Sequence, residues 1–125
     1  MALSSTRRSG DDFFETQITD GVRQGMRREQ FIIDPGIGFG KTLHYNLEII
    51  RRLGEFKKLG LPILIGVSRK SHIGLLLKNE LGLAEMPPAE ERLEASLAEA
   101  VIAVLNGANI VRTHDVAETR RALAV

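Results

Sequence analysis

Short apolar runs along the chain alternate with longer segments in which apolar residues recur every three or four positions. The runs span residues 31–33, 63–65 and 108–111. Pro35 and the alternating glycines after the first run prevent helical continuation, so we predict a buried strand there. Each of the other two runs is likewise predicted to be a strand.

The longer segments have the period of amphipathic helices. We predict one helix at 13–26, one capped by Asn46, one that begins after Pro87 and a short one at 116–123. Residues 72–91 show no clear period. The residues expected on the buried helix faces are Phe14, Ile18, Val22 and Met26; Leu47, Ile50, Leu53 and Phe56; and Leu93, Leu97, Val101, Val104 and Leu105.

This order, a helix and then three strand-plus-helix units of about 30 to 45 residues each, is typical of parallel βα units in an α/β protein. Residues 13–125 are expected to fold in this way. Residues 1–12 are polar and are expected to be disordered or frayed.

Polar residues follow all three predicted strands. Because ligands of parallel α/β proteins bind at the carboxyl ends of the strands, we expect these residues to meet in one site. They are Asp34 after the first strand; Gly66, Ser68, Arg69, Lys70 and Ser71 after the second; and Arg112, Thr113, His114 and Asp115 after the third.

Two common nucleotide-binding motifs are absent from the glycine-rich loop. A phosphate-binding P-loop needs glycine where the chain has Pro35, which has no N–H to donate. The dinucleotide fingerprint needs glycine where the chain has Lys41. Neither motif supports nucleotide binding.

The three polar clusters suit a ligand of mixed chemistry. Arg112 and His114, two residues apart in an extended segment, can point to one face and bind an anion such as phosphate. Asp34 suits a ring with hydrogen-bond donors. The alternatives are structural: Arg69, Lys70 and above all Lys41 as solvated charges, His114 with Asp115 as a helix cap, and His44 and His72 as structural histidines.

The composition of the chain argues against several kinds of partner, site and segment. The formal net charge of +1 suggests no nucleic-acid or membrane partner. There is no cysteine, so disulfides and thiolate metal sites are excluded. No apolar run approaches the ~20 residues of a membrane span, and the start lacks the apolar core of a signal peptide. We expect a soluble, cytoplasmic protein.

Taken together, three segments resemble dihydropteroate synthase. They are residues 34–41 (Asp-Pro-Gly-Ile-Gly-Phe-Gly-Lys), 66–71 (Gly-Val-Ser-Arg-Lys-Ser) and 112–116 (Arg-Thr-His-Asp-Val). The resemblance implies a TIM barrel, of which this chain supplies the C-terminal portion, about three of eight units. It also implies a transferase of folate biosynthesis that joins 6-hydroxymethyl-7,8-dihydropterin pyrophosphate to 4-aminobenzoate, with Mg²⁺ assistance, and releases pyrophosphate.

The resemblance also implies roles for individual residues. Asp34 and Lys70 would bind the pterin, and Arg112 with His114 would bind the pyrophosphate. Lys70, Arg112 and His114 are the expected catalytic residues. The complete set of expected substrate-binding residues is Asp34, Phe39, Gly66, Ser68, Arg69, Lys70, Arg112 and His114, with Phe39, Ser68 and Arg69 near the aminobenzoate.

The family's amino-terminal motif, which binds metal and closes over the substrate, is missing from this sequence. We therefore expect no metal ligand in this chain and no turnover by this chain alone. A homodimer of the complete protein, formed through late helices, and a complementing N-terminal half are the expected protein partners. The alternatives are a non-catalytic pterin- or anion-binding fragment and the pterin-binding domain of a corrinoid methyltransferase.

Overall fold

The computed structural model describes residues 2–4, 10–38 and 40–125. This part of the chain contains four strands and five α-helices, with 3₁₀ helices at Arg28–Gln30, Leu53–Leu59 and Ala89–Glu91. In chain order the elements are β1 (Ala2–Ser4), α1 (Gly10–Arg23), β2 (Ile32–Asp34), α2 (Leu43–Arg51), β3 (Leu64–Ile65), α3 (Ser71–Leu81), α4 (Leu93–Leu105), β4 (Ile110–Val111) and α5 (Val116–Leu123).

All the strand pairs are parallel. β1 pairs with β2, and β3 pairs with β4. A parallel bridge between Ile33 and Ile63 links the two pairs. The carboxyl ends of the strands therefore lie on the same side of the molecule, as the three-unit pattern predicted.

The hydrophobic core lies between the helices and one face of these strands. Ile33, Ile63 and Ile65 are almost fully buried there, together with Phe14 of α1. Phe14 packs edge-to-face against Phe56, with ring centroids 5.4 Å apart. This core fixes the strands, and with them the loops that follow their carboxyl ends.

The start of the chain contains a strand that the sequence pattern did not predict. Residues 1–12 were expected to be disordered or frayed; within them, Ala2–Ser4 form β1 and α1 begins at Gly10. Pairing in register with β2, from Ala2 opposite Ile32 to Ser4 opposite Asp34, satisfies backbone groups that β2 would otherwise leave open. Residues 1 and 5–9 lie outside the described residues.

Helix α2 begins earlier than predicted. Thr42, not Asn46, is its N-cap, and the Thr42 hydroxyl accepts a hydrogen bond from the Tyr45 N–H at 3.1 Å. Asn46 lies inside the helix with a fully buried side chain. Its role is in the glycine loop, as the site geometry shows below.

The buried face of α4 also differs from the prediction. Ser96, Ala100 and Ala103 face the interior, whereas Val104 and Leu105 are 38% and 78% exposed. Small residues let this helix pack close to its neighbours, so apolar size was a poor guide to its orientation. In α1, Val22 is likewise exposed, while Phe14 and Ile18 are buried as predicted.

The segment without a clear period contains a regular helix. α3 runs from Ser71 to Leu81 and ends at Gly82, whose φ of 65° is the left-handed conformation typical after a helix. Its buried residues, His72, Ile73 and Gly74, lie in the first turn. The short buried stretch explains why the apolar period was weak.

Candidate functional site

The loops after β3 and β4 enclose a cavity of about 210 Å³. It is lined by six residues: Gly66, Ser68, Lys70, Arg112, Thr113 and His114. All six belong to the polar clusters identified in the sequence. The fold therefore brings together the second and third clusters, as predicted from the shared direction of the strands.

Asp34 connects the first cluster to this cavity. Its side chain is buried, and its Oδ1 accepts a hydrogen bond from the Gly36 N–H at 2.9 Å. Its Oδ2 lies 4.0 Å from Nη1 of Arg112. One carboxylate oxygen is thus held by the backbone, while the other faces the cation of the third cluster.

Lys70 crosses from the second cluster to the glycine loop. Its Nζ donates a hydrogen bond to the Ile37 carbonyl at 2.5 Å. Gly38 makes room for this side chain, because a Cβ there would lie 3.0 Å from Cδ of Lys70. The φ of Gly38 is 94°, a conformation that glycine adopts without strain.

Burial lowers the pKa of the Lys70 ammonium, and the nearby Arg112 lowers it further, whereas Asp34 opposes the shift. Lys41, expected to be a solvated surface charge, is instead partly buried and donates to the Gly36 carbonyl at 2.8 Å. Burial lowers its pKa as well, and Asp34 again opposes the shift. Both lysines therefore brace the glycine loop beside Asp34.

The glycine loop is also held from α2. Oδ1 of Asn46 accepts a hydrogen bond from the Gly38 N–H at 2.8 Å, and its Nδ2 donates to the Lys41 carbonyl at 3.4 Å. No sequence signal separated this residue from an ordinary cap. Phe39, a predicted substrate-binding residue in the same loop, lies outside the described residues, and its role stays a prediction.

Ser68 joins the loops after β3 and β4. Its Oγ lies 2.9 Å from Nδ1 of His114 and accepts a hydrogen bond from the His114 N–H at 3.1 Å. Thr113 donates to the same oxygen at 3.3 Å. The imidazole of His114 is therefore fixed at the cavity wall through one ring nitrogen.

Arg112 is less constrained, with 56% of its side chain exposed. It passes over Gly66, where a Cβ would lie 2.8 Å from its Nη2. A side chain at position 66 would therefore displace the guanidinium. Arg112 keeps hydrogen-bond donors available for an anion in the cavity.

Arg69, which the resemblance to dihydropteroate synthase implied to lie near the aminobenzoate, pairs with Asp115. Nε donates to Oδ2 at 2.9 Å and Nη2 to Oδ1 at 2.5 Å. These hydrogen bonds raise the pKa of Arg69 and hold that of Asp115 below its usual range. Asp115 was placed in the polar cluster after the third strand, with a helix cap as the structural alternative, and its side chain makes no cap hydrogen bond.

Two classes of feature are absent from the described part of the chain. Within it, no three histidine, aspartate or glutamate side chains lie together as a metal site would require. None of its helices has the length and apolar character needed to cross a membrane.

The family model for the pterin binding enzyme matches residues 5–114, which include the first two polar clusters and all of the third except Asp115. The chain belongs to the family of pterin-binding enzymes. Among relatives of this chain, the dihydropteroate synthase of Escherichia coli K12 is 46% identical over 113 residues, which are 90% of this chain and 37% of the relative. The resemblance inferred from the three segments is thereby confirmed.

Solved structures extend the likeness to the fold of the chain. Yersinia pestis DHPS, solved with a pterine-sulfa conjugate, has a TM-score of 0.87 at 35% identity and covers 98% of this chain. The dihydropteroate synthase of Xanthomonas albilineans, solved with 4-aminobenzoic acid, has a TM-score of 0.83 at 32% identity. The chain spans 48% and 46% of these structures. The prediction of a partial α/β barrel is therefore confirmed.

Proposed function

We propose that this chain is the C-terminal part of a dihydropteroate synthase-type transferase, which joins 6-hydroxymethyl-7,8-dihydropterin pyrophosphate to 4-aminobenzoate in folate biosynthesis. The observation that carries the proposal is the convergence of Asp34, Lys70 and Arg112, with His114, at the carboxyl ends of parallel strands. The dihydropteroate synthases among its relatives favour this function over that of a corrinoid methyltransferase.

The pterin would bind between Asp34 and Lys70. The Asp34 carboxylate oxygen that faces Arg112, and that the Gly36 N–H does not bond, suits the N–H donors of an aminopyrimidine edge. Lys70, fixed through the Ile37 carbonyl, would contact the ring from the other side of the glycine loop. Gly66 would allow close approach, since it presents no side chain beneath Arg112.

Arg112 and His114 would bind the pyrophosphate. The guanidinium offers paired donors, and the imidazole has one ring nitrogen left after its contact with Ser68. As the bond between the pterin methylene and pyrophosphate breaks, these groups would stabilise the leaving anion, and the aromatic amine would attack the methylene carbon. No covalent bond to the protein is needed.

The aminobenzoate would lie beside Ser68 and Arg69, with Phe39 as a further expected contact. Ser68 and Arg69 belong to the loop after β3, next to the cavity. The hydrogen bond to Asp115 would hold the Arg69 side chain in place beside the aminobenzoate.

The chain covers about half of the solved relatives, so the remaining part of the barrel would supply the other contacts. That remaining part would come from a complementing N-terminal half or from the rest of a longer protein. The complete protein would form a homodimer. Mg²⁺ assistance would depend on that part, because the described residues do not fit a metal site. A cytoplasmic location belongs to the same proposal and agrees with the lack of cysteine.

Calorimetric titration with 6-hydroxymethyl-7,8-dihydropterin pyrophosphate tests this function. We expect the chain to bind, to melt at a higher temperature with the ligand, and to show no turnover with 4-aminobenzoate. Arg112→Gln should abolish binding, whereas Arg120→Gln, an exposed change of equal charge on α5, should not. Binding without turnover after the missing half is supplied would favour the non-catalytic alternative. No binding would contradict both.

A further inference from the structure

Arg69 has a backbone conformation that side chains rarely adopt. Among the residues that the structure describes, it is the non-glycine residue with positive φ, at 56°. In this left-handed region the Cβ of an L-residue crowds its own backbone. Such a conformation persists where surrounding contacts hold it, and these contacts often belong to functional sites.

The start of α4 supplies two of the contacts. The Arg69 N–H donates to Oγ of Ser96 at 2.8 Å, and the Arg69 carbonyl accepts from Nη1 of Arg92 at 2.8 Å. The Ser96 hydroxyl in turn donates to the Arg92 carbonyl at 2.6 Å. Asp115 holds the side chain from the opposite loop. We call Arg92, Ser96 and Asp115 the Arg69 clamp.

Arg92 is itself fixed by its neighbours. Its Nε donates to the Pro87 carbonyl at 2.9 Å. It lies against Gly74 of α3, where a Cβ would come within 2.9 Å of the same nitrogen. One guanidinium thus joins the segment before α4, the first turn of α3 and the peptide of Arg69.

Arg69 stands between two cavity residues, Ser68 and Lys70. Both of these side chains line the cavity, whereas the Arg69 guanidinium points to Asp115. The left-handed residue between them is the turn that makes this arrangement possible. A change at Arg69 to an ordinary backbone conformation would redirect both neighbours.

We propose that the Arg69 clamp positions Ser68 and Lys70 for ligand binding, which makes Arg92 and Ser96 positioning residues of the site although neither lines the cavity. This inference rests on the proposed function of the cavity. It assigns a purpose to an arginine and a serine on α4 that the sequence did not single out.

Amide hydrogen exchange measured by NMR tests the clamp directly. Arg92→Ala should accelerate exchange at the amides of Arg69 and Lys70 by about tenfold, while the amide of Ile65 in β3 keeps its rate. Ser96→Ala should accelerate the amide of Arg69 in the same way. Arg120→Ala, the matched loss of a positive charge, should change none of these rates. Uniform acceleration throughout the chain would overturn the proposal.

A double substitution separates the clamp from general stability. Glycine adopts positive φ without a clamp. In the Arg69→Gly background, Arg92→Ala should therefore change exchange at the Lys70 amide by no more than about twofold. Equal effects of Arg92→Ala in the two backgrounds would show that Arg92 does not act through the conformation of residue 69.

Binding of inorganic pyrophosphate connects the clamp to the site. We expect Arg92→Ala to weaken binding by about tenfold and Arg92→Lys, which can keep one of the two hydrogen bonds, to recover part of the loss. Wild-type binding that survives Arg92→Ala would overturn the clamp and leave the proposed function standing. A wild-type chain that binds no pyrophosphate would contradict the proposed function, and with it this role.

Discussion

Asp34 is a buried carboxylate that faces the guanidinium of Arg112 in the candidate site. Asp34→Asn keeps the shape and the oxygen that accepts from Gly36, but it removes the charge. Charge-assisted hydrogen bonds contribute about 1.5–3 kcal/mol, so binding of 6-hydroxymethyl-7,8-dihydropterin should weaken by about tenfold or more. Calorimetric titration measures this. Asp20→Asn, an exposed change on α1, is the control, and equal affinities of Asp34→Asn and wild type would contradict the assigned role.

Lys70 should make the free energy of unfolding depend on pH. Because burial lowers the pKa of Lys70, the unfolded chain keeps a proton at pH values where the folded chain releases it. The free energy of unfolding should therefore rise with pH across this interval, up to the usual lysine pKa of about 10.4. Below the interval the buried charge is unfavourable, so Lys70→Gln should be the more stable protein.

Urea denaturation from neutral pH to about pH 10.4 measures this difference. The advantage of Lys70→Gln over wild type should shrink as the pH rises. Lys78→Gln on α3 controls for the change in net charge. An advantage that stays constant with pH would show that the charge of Lys70 is not the cause.

The polar residues that line the cavity could largely be predicted to lie together, whereas the residues that hold them in place could not. Arg112 and His114 could be placed on one cavity because residues two apart in an extended segment share a face. Asn46 accepts from the Gly38 N–H, eight residues away along the chain, and Arg92 donates to the Arg69 carbonyl, 23 residues away. Such contacts depend on packing, and local sequence carries no signal for them.

At the scale of elements, the three predicted strands were confirmed because proline and glycine mark their ends. The prediction of the buried face of α4 was wrong, because alanine and serine, not leucine and valine, pack against the neighbouring helices. β1 was missed because a strand of three residues at a polar start depends on its partner, β2, for its existence. Local sequence patterns do not predict pairing between segments that are distant along the chain.

The contact between α3 and α4 includes a buried pair that fits the prediction of His72 as structural. Nε2 of His72 lies 2.7 Å from Oε1 of Glu99, with side chains 3% and 8% exposed. Glu99→Leu leaves a buried imidazole without this partner and should lower the free energy of unfolding by about 1–3 kcal/mol. The double change with His72→Leu should cost less than the sum of the single changes.

A double-mutant cycle in urea measures this coupling. Glu94→Leu, an exposed change on the same helix, is the matched control and should have little effect. Additive single changes would mean that the two side chains do not stabilise the helix contact through each other.

At the scale of the whole molecule, an apolar groove of about 580 Å³ lies beside β4 and α5. Val104, Val111 and Val116 are among its lining residues, and Val116 is 67% exposed. Since the chain spans about half of its solved relatives, and a barrel closes by pairing its last strand with its first, we expect a complementing N-terminal half to pack against this groove.

We therefore expect Val116→Lys to weaken the complex between this chain and a separately produced N-terminal half of the Escherichia coli enzyme. A buried lysine lacks a partner in an apolar interface, so the dissociation constant should rise by about tenfold or more. Light scattering of the mixture and assay of dihydropteroate formation measure complex and turnover together. Leu81→Lys, an equally exposed change on α3 outside the groove lining, should leave both intact. A complex that tolerates Val116→Lys but is lost with Leu81→Lys would place the complementing half against α3 and not in the groove beside β4 and α5.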